Sequence, residues 1–323
     1  MRRRGPIAAP GRALATLALA LATPALTSAS AAAAGDVRID DVHVYPESLS
    51  ADRAGRLYIG SVKGIVFRTA PGGDLAEPWI RPTPENGILS LLGILVDEPA
   101  RTLWACSAPM PFRVPPASGT AALLAFDLAT GAPKGRFDFP APAGACNDVT
   151  IARDGTAFAT DTPNGRIFML KPGATALTLF AQDPQLKGVD GIAFAGDGTL
   201  FVNNVQAQTM LRIDRRRDGG FAGLTRLILS QPVQGPDGLR LLAGNRFLQA
   251  EGGSGKITLV TIRGDRAEIA DLRTGLDSSP GVTAARGRVY AVEGKIGYLV
   301  SPTLKGKDPG PFSARAIDLP ARR

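Results

Sequence analysis

Asp190-Gly191-Ile192-Ala193-Phe194, turning back at Asp197-Gly198, is the stretch that decides the fold. A polar residue opens an apolar strand, and a glycine ends it. The phrase recurs as Asn147-Asp148-Val149-Thr150-Ile151 with its turn at Asp154-Gly155, and as Asp237-Gly238-Leu239-Arg240-Leu241 with its turn at Gly244. Looser copies are Glu47-Ser48-Leu49, turning at Gly55, and Pro280-Gly281-Val282, turning at Gly287. The heads Asn147, Asp190, Asp237 and Pro280 stand 43, 47 and 43 residues apart, the mark of a repeat architecture. The 100 residues from Glu47 to Asn147 hold two units, the second degenerate around Leu92-Gly93-Ile94 and Leu103-Trp104, which makes six.

Within a unit, short apolar and β-branched segments are separated by Asp-Gly, Asn-Gly or Gly-Gly pairs, as in successive antiparallel hairpins. The third unit predicts strands at 149–152, 156–160, 166–170 and 177–181, and the fourth at 192–195, 200–203, 209–214 and 226–230. No segment keeps a helical period, and the apolar run 88–96 is too short to cross a membrane and reads as a buried inner strand. Six four-stranded units imply an all-β chain, a single six-bladed β-propeller over 35–323, in which radial closure disposes of exposed sheet edges. Closure requires the chain ends to meet, so strands expected at 37–45 and 314–319 should share a blade. The Pro-rich stretch 109–116 reads as a long loop of the second unit.

Residues 1–34 have the three-part form of a secretory signal: Arg2, Arg3, Arg4 and Arg12, then an apolar run over 13–26 broken by Pro24, then Ala32-Ala33-Ala34 before Gly35. The expected location is periplasmic or secreted, with no membrane span once the signal is cleaved. Net charge is +8, and four arginines lie in the leader with no acid, leaving about +4 on the rest. With no aromatic-interleaved basic stripe, nucleic acid is not an expected partner. Cys106 and Cys146 are the only cysteines. In an oxidising compartment they are expected to pair, since one ends the second strand of the second unit and the other precedes the third head.

The heads carry the chemistry. In a propeller, equivalent positions converge on one mouth of the central channel, so Glu47, Asn147, Asp190 and Asp237 should meet there. Carboxylates forced together repel unless a cation or protons intervene. Three carboxylates and an amide form an all-oxygen donor set that suits Ca²⁺ best, with Mg²⁺, Mn²⁺ or Zn²⁺ as alternatives. Asp-Gly is also an ordinary turn dipeptide, as at Asp154-Gly155, Asp197-Gly198 and Asp218-Gly219. Phase separates the two uses: punctuating pairs fall between strands, whereas head acids recur at one position of several units. A second ring, Asp161, Asn204, Glu251 and Glu293 with Ser61, ends the second strands and is expected either to line a substrate pocket or to be solvated loop polarity. The single histidine, His43, in an expected edge strand, leaves no partner for Ser-His-Asp, Cys-His or His-rich zinc chemistry.

Pro46-Glu47-Ser48-Leu49, Cys146-Asn147-Asp148, Asp190-Gly191-Ile192-Ala193-Phe194 and Pro236-Asp237-Gly238-Leu239 together resemble the SMP-30/gluconolactonase/luciferin-regenerating-enzyme family over nearly all of the chain after the leader. The resemblance implies a six-bladed propeller, a divalent cation in the central channel, and lactone hydrolysis. By position it implies that Glu47 and Asp237 are metal ligands, that Asp190 stands where the family more often has asparagine, and that Asn147 contacts metal or substrate. Some sugar lactonases carry an arginine two residues before that asparagine, and here Ala145 stands there. The expected function is a monomeric, metal-dependent lactonase or esterase acting on a small molecule, with Asp237, or else Asp190, as the base toward water. The alternatives are a non-catalytic NHL-like propeller with a structural channel ion, and strictosidine-synthase-like condensation using Glu251 or Glu293.

Overall fold

The computed structural model describes Met1, Gly5 and residues 35–111, 118–142 and 144–319. The expected signal segment therefore lies, apart from Met1 and Gly5, outside the described residues, as does 112–117 of the long loop. Strand β1 (Val37–Ile39) comes first. The first unit is β2 (Pro46–Ala51), β3 (Leu57–Ser61), β4 (Val66–Thr69) and β5 (Leu75–Ile80). The second is β6 (Ser90–Asp97), β7 (Thr102–Ala108), β8 (Ala122–Asp127) and β9 (Pro133–Asp138), and the third β10 (Cys146–Ile151), β11 (Ala157–Asp161), β12 (Arg166–Leu170) and β13 (Thr178–Gln182). The fourth is β14 (Val189–Phe194), β15 (Leu200–Asn204), β16 (Thr209–Arg215) and β17 (Phe221–Arg226). After β18 (Ile228–Leu229), the fifth is β19 (Pro236–Ala243), β20 (Arg246–Glu251), β21 (Lys256–Arg263) and β22 (Arg266–Arg273). The sixth holds β23 (Val282–Ala285), β24 (Arg288–Val292) and β25 (Ser313–Ile317).

Units two, three and four are separate four-stranded antiparallel sheets, and unit five gains β18 alongside β22. The remaining sheet has eight strands in the order β2-β3-β4-β5-β1-β25-β24-β23. Val37 pairs with Ala314 antiparallel, so β1 is the fourth strand of the last unit, and it also runs parallel to β5 through Arg38 and Leu75. The two chain ends thus meet in one sheet. The helical content among the described residues is α1 (Gly297–Val300) and a 3₁₀ turn at Pro184–Leu186, and no helix there is long and apolar enough to cross a membrane.

Inner strands such as β3 and β11 are buried on both faces, whereas the outer strand β22 alternates exposed with buried. That difference locates the core between successive sheets. Leu92, Cys106, Val149 and Phe168, for example, form one cluster spanning units two and three. Each such side chain contributes about 1.5–3 kcal/mol by leaving water. The punctuating acids do what turns require: Asp154 Oδ1 accepts from Thr156 N at 3.0 Å and Asp197 Oδ1 from Thr199 N at 2.9 Å. Gly155 and Gly198 follow with φ of 83° and 91°, a region that favours glycine.

Two expectations are corrected. The fourth strand of unit four is Phe221–Arg226, not 226–230, because Asp218 caps Gly220 N at 2.8 Å and closes the hairpin directly after β16. Residues 228–229 pair with the next sheet instead. The first strand stops at Ile39, since His43 and Tyr45 adopt left-handed φ of 55° and 50°. His43 is therefore an exposed loop residue and not part of an edge strand.

Candidate functional site

The heads of units one to five lie in β-bulges. The register between first and second strands shifts at Pro46/Ser48, Leu91/Ile94, Cys146/Val149, Val189/Ile192 and Pro236/Leu239. A bulge frees one residue from the ladder and re-aims its side chain, which is why the head residue leaves its sheet. The glycine after the head answers a different demand from the turn glycines. A Cβ on Gly238 would lie 2.8 Å from Pro280 O and one on Gly281 2.7 Å from Ser48 Cα, while one on Gly191 would strike Asp237 O and one on Gly93 the Asp148 carboxylate. First strands of neighbouring units approach too closely there for a side chain. Hydrogen bonds stitch the same junctions: Ser48 Oγ donates to Leu92 O, Thr160 Oγ1 to Asp190 O (2.8 Å), Asn203 Nδ2 to Asp237 O (2.6 Å) and Gly238 N to Pro280 O (2.9 Å).

The structure brings Glu47, Asn147, Asp190 and Asp237 around one cavity, which they share with Asp148 and Arg240. Its volume is about 10 Å³, room for a single water or ion. Asn147 Nδ2 donates to Thr162 Oγ1 at 2.8 Å and to Asp190 Oδ2 at 3.0 Å, leaving its carbonyl oxygen as the acceptor. Asp190 is 5% exposed, and no N–H or hydroxyl donor reaches its buried second oxygen, Oδ1; the Asp237 carboxyl lies within hydrogen-bonding reach of Asp190 and could meet it only by carrying a proton. An orphaned buried carboxylate oxygen is costly and calls for a cation or a proton.

The electrostatics agree. Burial, then Asp148, push the Asp190 carboxyl up to about 8. Burial, then Asp190 and Asp148, hold Glu47 well above the usual range against the pull of Arg240, and burial, then Asp190 and Glu47, do the same to Asp237. The turn acids Asp154 and Asp197 move the opposite way, held below 3.8 chiefly by the backbone amides they cap. Residues of one type thus divide by phase into stabilised and destabilised anions.

Asp148 and Arg240 are not foreseen from the sequence. Arg240 crosses to unit three with a bidentate pair, Nη1 to Asp148 Oδ2 at 2.7 Å and Nη2 to Oδ1 at 2.9 Å, and Nη2 also donates to Ile94 O at 3.1 Å. Asp148 accepts from Ile192 N at 3.1 Å as well. The side chains are 11% and 4% exposed, so this pair closes the floor of the cavity. The signal available was that Asp148 stands where Gly93, Gly191, Gly238 and Gly281 stand in other units.

The second ring is placed elsewhere. Asp161 accepts from Ala145 N at 3.1 Å and pairs with Arg166, which donates to the carbonyls of Pro140, Ala141 and Pro142. Asn204 donates to Gln185 O and Lys187 O and accepts from Gln206 N and Ala207 N. Glu251 accepts from Gln234 N and Ser254 Oγ, and Glu293 from Asp277 N and Arg315 Nε. None of the four lines the head cavity. Each is buried and clamps the connector that leads into its own unit's head. Cys106 and Cys146 form the expected disulfide, with Cα atoms 4.9 Å apart, immediately before Asn147.

A divalent ion fits the chemistry of these donors, through the orphaned Asp190 oxygen and the oxygen-only set, although among the described residues no three Asp, Glu, His or Cys side chains are already grouped to hold a metal.

No protein-family model and no curated protein matches the chain. Solved structures do. A gluconolactonase from Xanthomonas campestris is 18% identical with a TM-score of 0.60, covering 86% of this chain and 87% of that one. Regucalcin from Agrobacterium tumefaciens, a calcium-binding protein, is 16% identical with a TM-score of 0.62 over 88% and 95%. Virginiamycin B lyase from Staphylococcus aureus is 13% identical with a TM-score of 0.57 over 88% and 98%. At these identities the likeness concerns architecture: the chain has the propeller-like fold of the gluconolactonase and regucalcin structures.

Proposed function

We propose that the chain is an exported, metal-dependent hydrolase of lactones or related esters, built as a closed six-bladed propeller. The observation that carries this is the buried Asp190 Oδ1, unmet by any N–H or hydroxyl donor, among three carboxylates whose pKa values all rise, around an ion-sized cavity. In the propeller reading, the eight-stranded sheet is two blades, β2–β5 and β23-β24-β25-β1, joined where β1 meets β5. The likeness to gluconolactonase and to calcium-binding regucalcin supports the choice of reaction and ion.

Glu47, Asp190, Asp237 and the Asn147 carbonyl would hold a divalent cation, Ca²⁺ foremost. Such an ion, when bound, supplies Lewis-acid polarisation of a carbonyl oxygen. The chain's own residues account for the rest. Asn147 is oriented by Thr162 and Asp190, so its acceptor oxygen is fixed before any ligand arrives. Asp237, held well above the usual carboxylate range by burial and then by Asp190 and Glu47, is a stronger base toward water than an ordinary carboxylate once it has lost its proton. Arg240 keeps the floor closed and offsets part of the acid charge. A cavity of about 10 Å³ cannot enclose a lactone, so substrate would sit above it, at the mouth.

A second reading, a binding propeller with a structural ion, is favoured by that small volume and by the sealed floor. The deciding experiment assays purified protein on a panel of lactones and esters, with and without chelator, and as Asp237→Ala. Turnover that needs metal and falls at least about a hundredfold in the variant is expected. Turnover that survives in Asp237→Ala removes the proposed base, and no turnover with a melting temperature that collapses under chelator selects the structural ion.

A further inference from the structure

At the opposite strand ends from the heads lies a larger cavity, about 360 Å³, between the first and second units. It is bounded by the turn after β2, the turn between β6 and β7, and the segment after β8. Its chemistry is cationic. Arg56, Arg68 and Arg101 all line it, against Asp52 and Glu98. Both acids are already engaged: Asp52 accepts from Arg56 Nη1 at 3.1 Å and from the Tyr58 hydroxyl at 3.2 Å, and Glu98 pairs with Arg53 outside the cavity at 3.2 Å. Among the described residues neither Arg68 nor Arg101 forms a close ion pair; Asp127 feels the charge of Arg101 but turns its carboxylate to Ala129 N and Thr130, so guanidinium charge remains in excess.

The groups are also held in place. The Arg68 guanidinium carbon stands over the Trp79 ring, 4.1 Å from its centroid, and Trp79 in turn packs edge-on against Tyr58 at 5.5 Å. Tyr58 is 1% exposed, and burial together with Asp52 pushes its hydroxyl up to about 12, so it stays a donor to Asp52, which in turn fixes Arg56. Arg101 adopts φ of 50°, a conformation that side-chain-bearing residues take at a cost. Glycine would fill that turn without strain, and strain kept at a ligand-facing position is a recognised mark of function. Leu128 supplies an apolar wall. A pre-arranged set of forked donors with excess positive charge and one apolar side is what an organic oxyanion requires.

We propose that this cavity binds a small organic anion, a carboxylate or phosphate ester, gripped by Arg68 and Arg101 with Arg56 as a further donor and Leu128 against its carbon skeleton. The site is independent of the head cavity and of any hydrolysis there.

The test is isothermal titration of the purified full chain at low ionic strength, where exposed charges are least screened, with inorganic phosphate, succinate and uncharged glycerol. At least one of the two anions should bind saturably at one site, and glycerol should not; which anion does so separates phosphate from carboxylate ligands. Arg101→Gly removes the guanidinium while relieving the backbone, so it should weaken binding at least about tenfold with an unchanged or higher melting temperature. Arg68→Met should weaken it similarly while keeping an apolar contact with Trp79. The proposal is overturned if neither anion saturates by about 10 mM, or if both variants bind as tightly as the parent.

Discussion

Asp148 shows how one side chain can occupy a position built for glycine. The facing residue in unit two is Gly93, and its missing Cβ is the space the Asp148 carboxylate fills. Its anion is then answered from unit five by Arg240. Removing one partner of such a buried pair leaves an uncompensated charge, so Arg240→Met should cost about 3–5 kcal/mol in urea unfolding. Asp148→Leu combined with Arg240→Met should recover a large part of that loss. A single variant within about 1 kcal/mol of the parent would show that the pair is not the structural floor. The pair had no local signature, because its members lie 92 residues apart and meet only between units three and five. The head acids were legible because their phase repeats, whereas Asp161, Asn204, Glu251 and Glu293 share a phase just as regular and are turned into the connectors. Phase fixes which end of a strand a residue occupies; it does not fix which way the side chain points.

Among elements, the hairpins were the most legible, since Gly155, Gly198 and Gly219 mark turns by chemistry that nothing tertiary overrides. Strand β12 falls where expected, and β15 and β16 run only one residue longer. Short strands such as β18 were not legible, because their pairing depends on a neighbouring sheet. The connector before the third head is fixed twice, by Arg166 on the carbonyls of 140–142 and by the disulfide from β7. Closing a 40-residue separation contributes about 4 kcal/mol on the chain-entropy account. Cys106→Ala with Cys146→Ala should therefore lower stability by about 2–4 kcal/mol and loosen Asn147. Thermal melts of the double variant against the oxidised parent measure it, and matching melts would refute it.

For the whole molecule, the head acids imply an unusual pH response. Asp190 holds its proton up to about 8 when folded and only to about 3.8 when unfolded, so between those values the folded state binds more protons. Metal-free protein should accordingly lose stability as pH rises from about 5 to about 8, with Glu47 and Asp237 adding in the same direction. The lowered acids Asp154 and Asp197 have the opposite sign but titrate below 3.8, outside that window. Ca²⁺ should raise the melting temperature strongly at about pH 8 and little at about pH 5. Melts across pH with and without chelator read this directly, and a flat metal-free profile would contradict it.

The pairing of Val37 with Ala314 has a kinetic side. All the strands from β2 to β24 lie between β1 and its antiparallel partner β25, so they must all be made before that edge can be covered. Contacts of such long sequence separation form late and slowly. Until then the edge of β1 that faces β25 stays open to any other extended chain, so the interval before closure, more than the finished fold, is when this protein is exposed to aggregation.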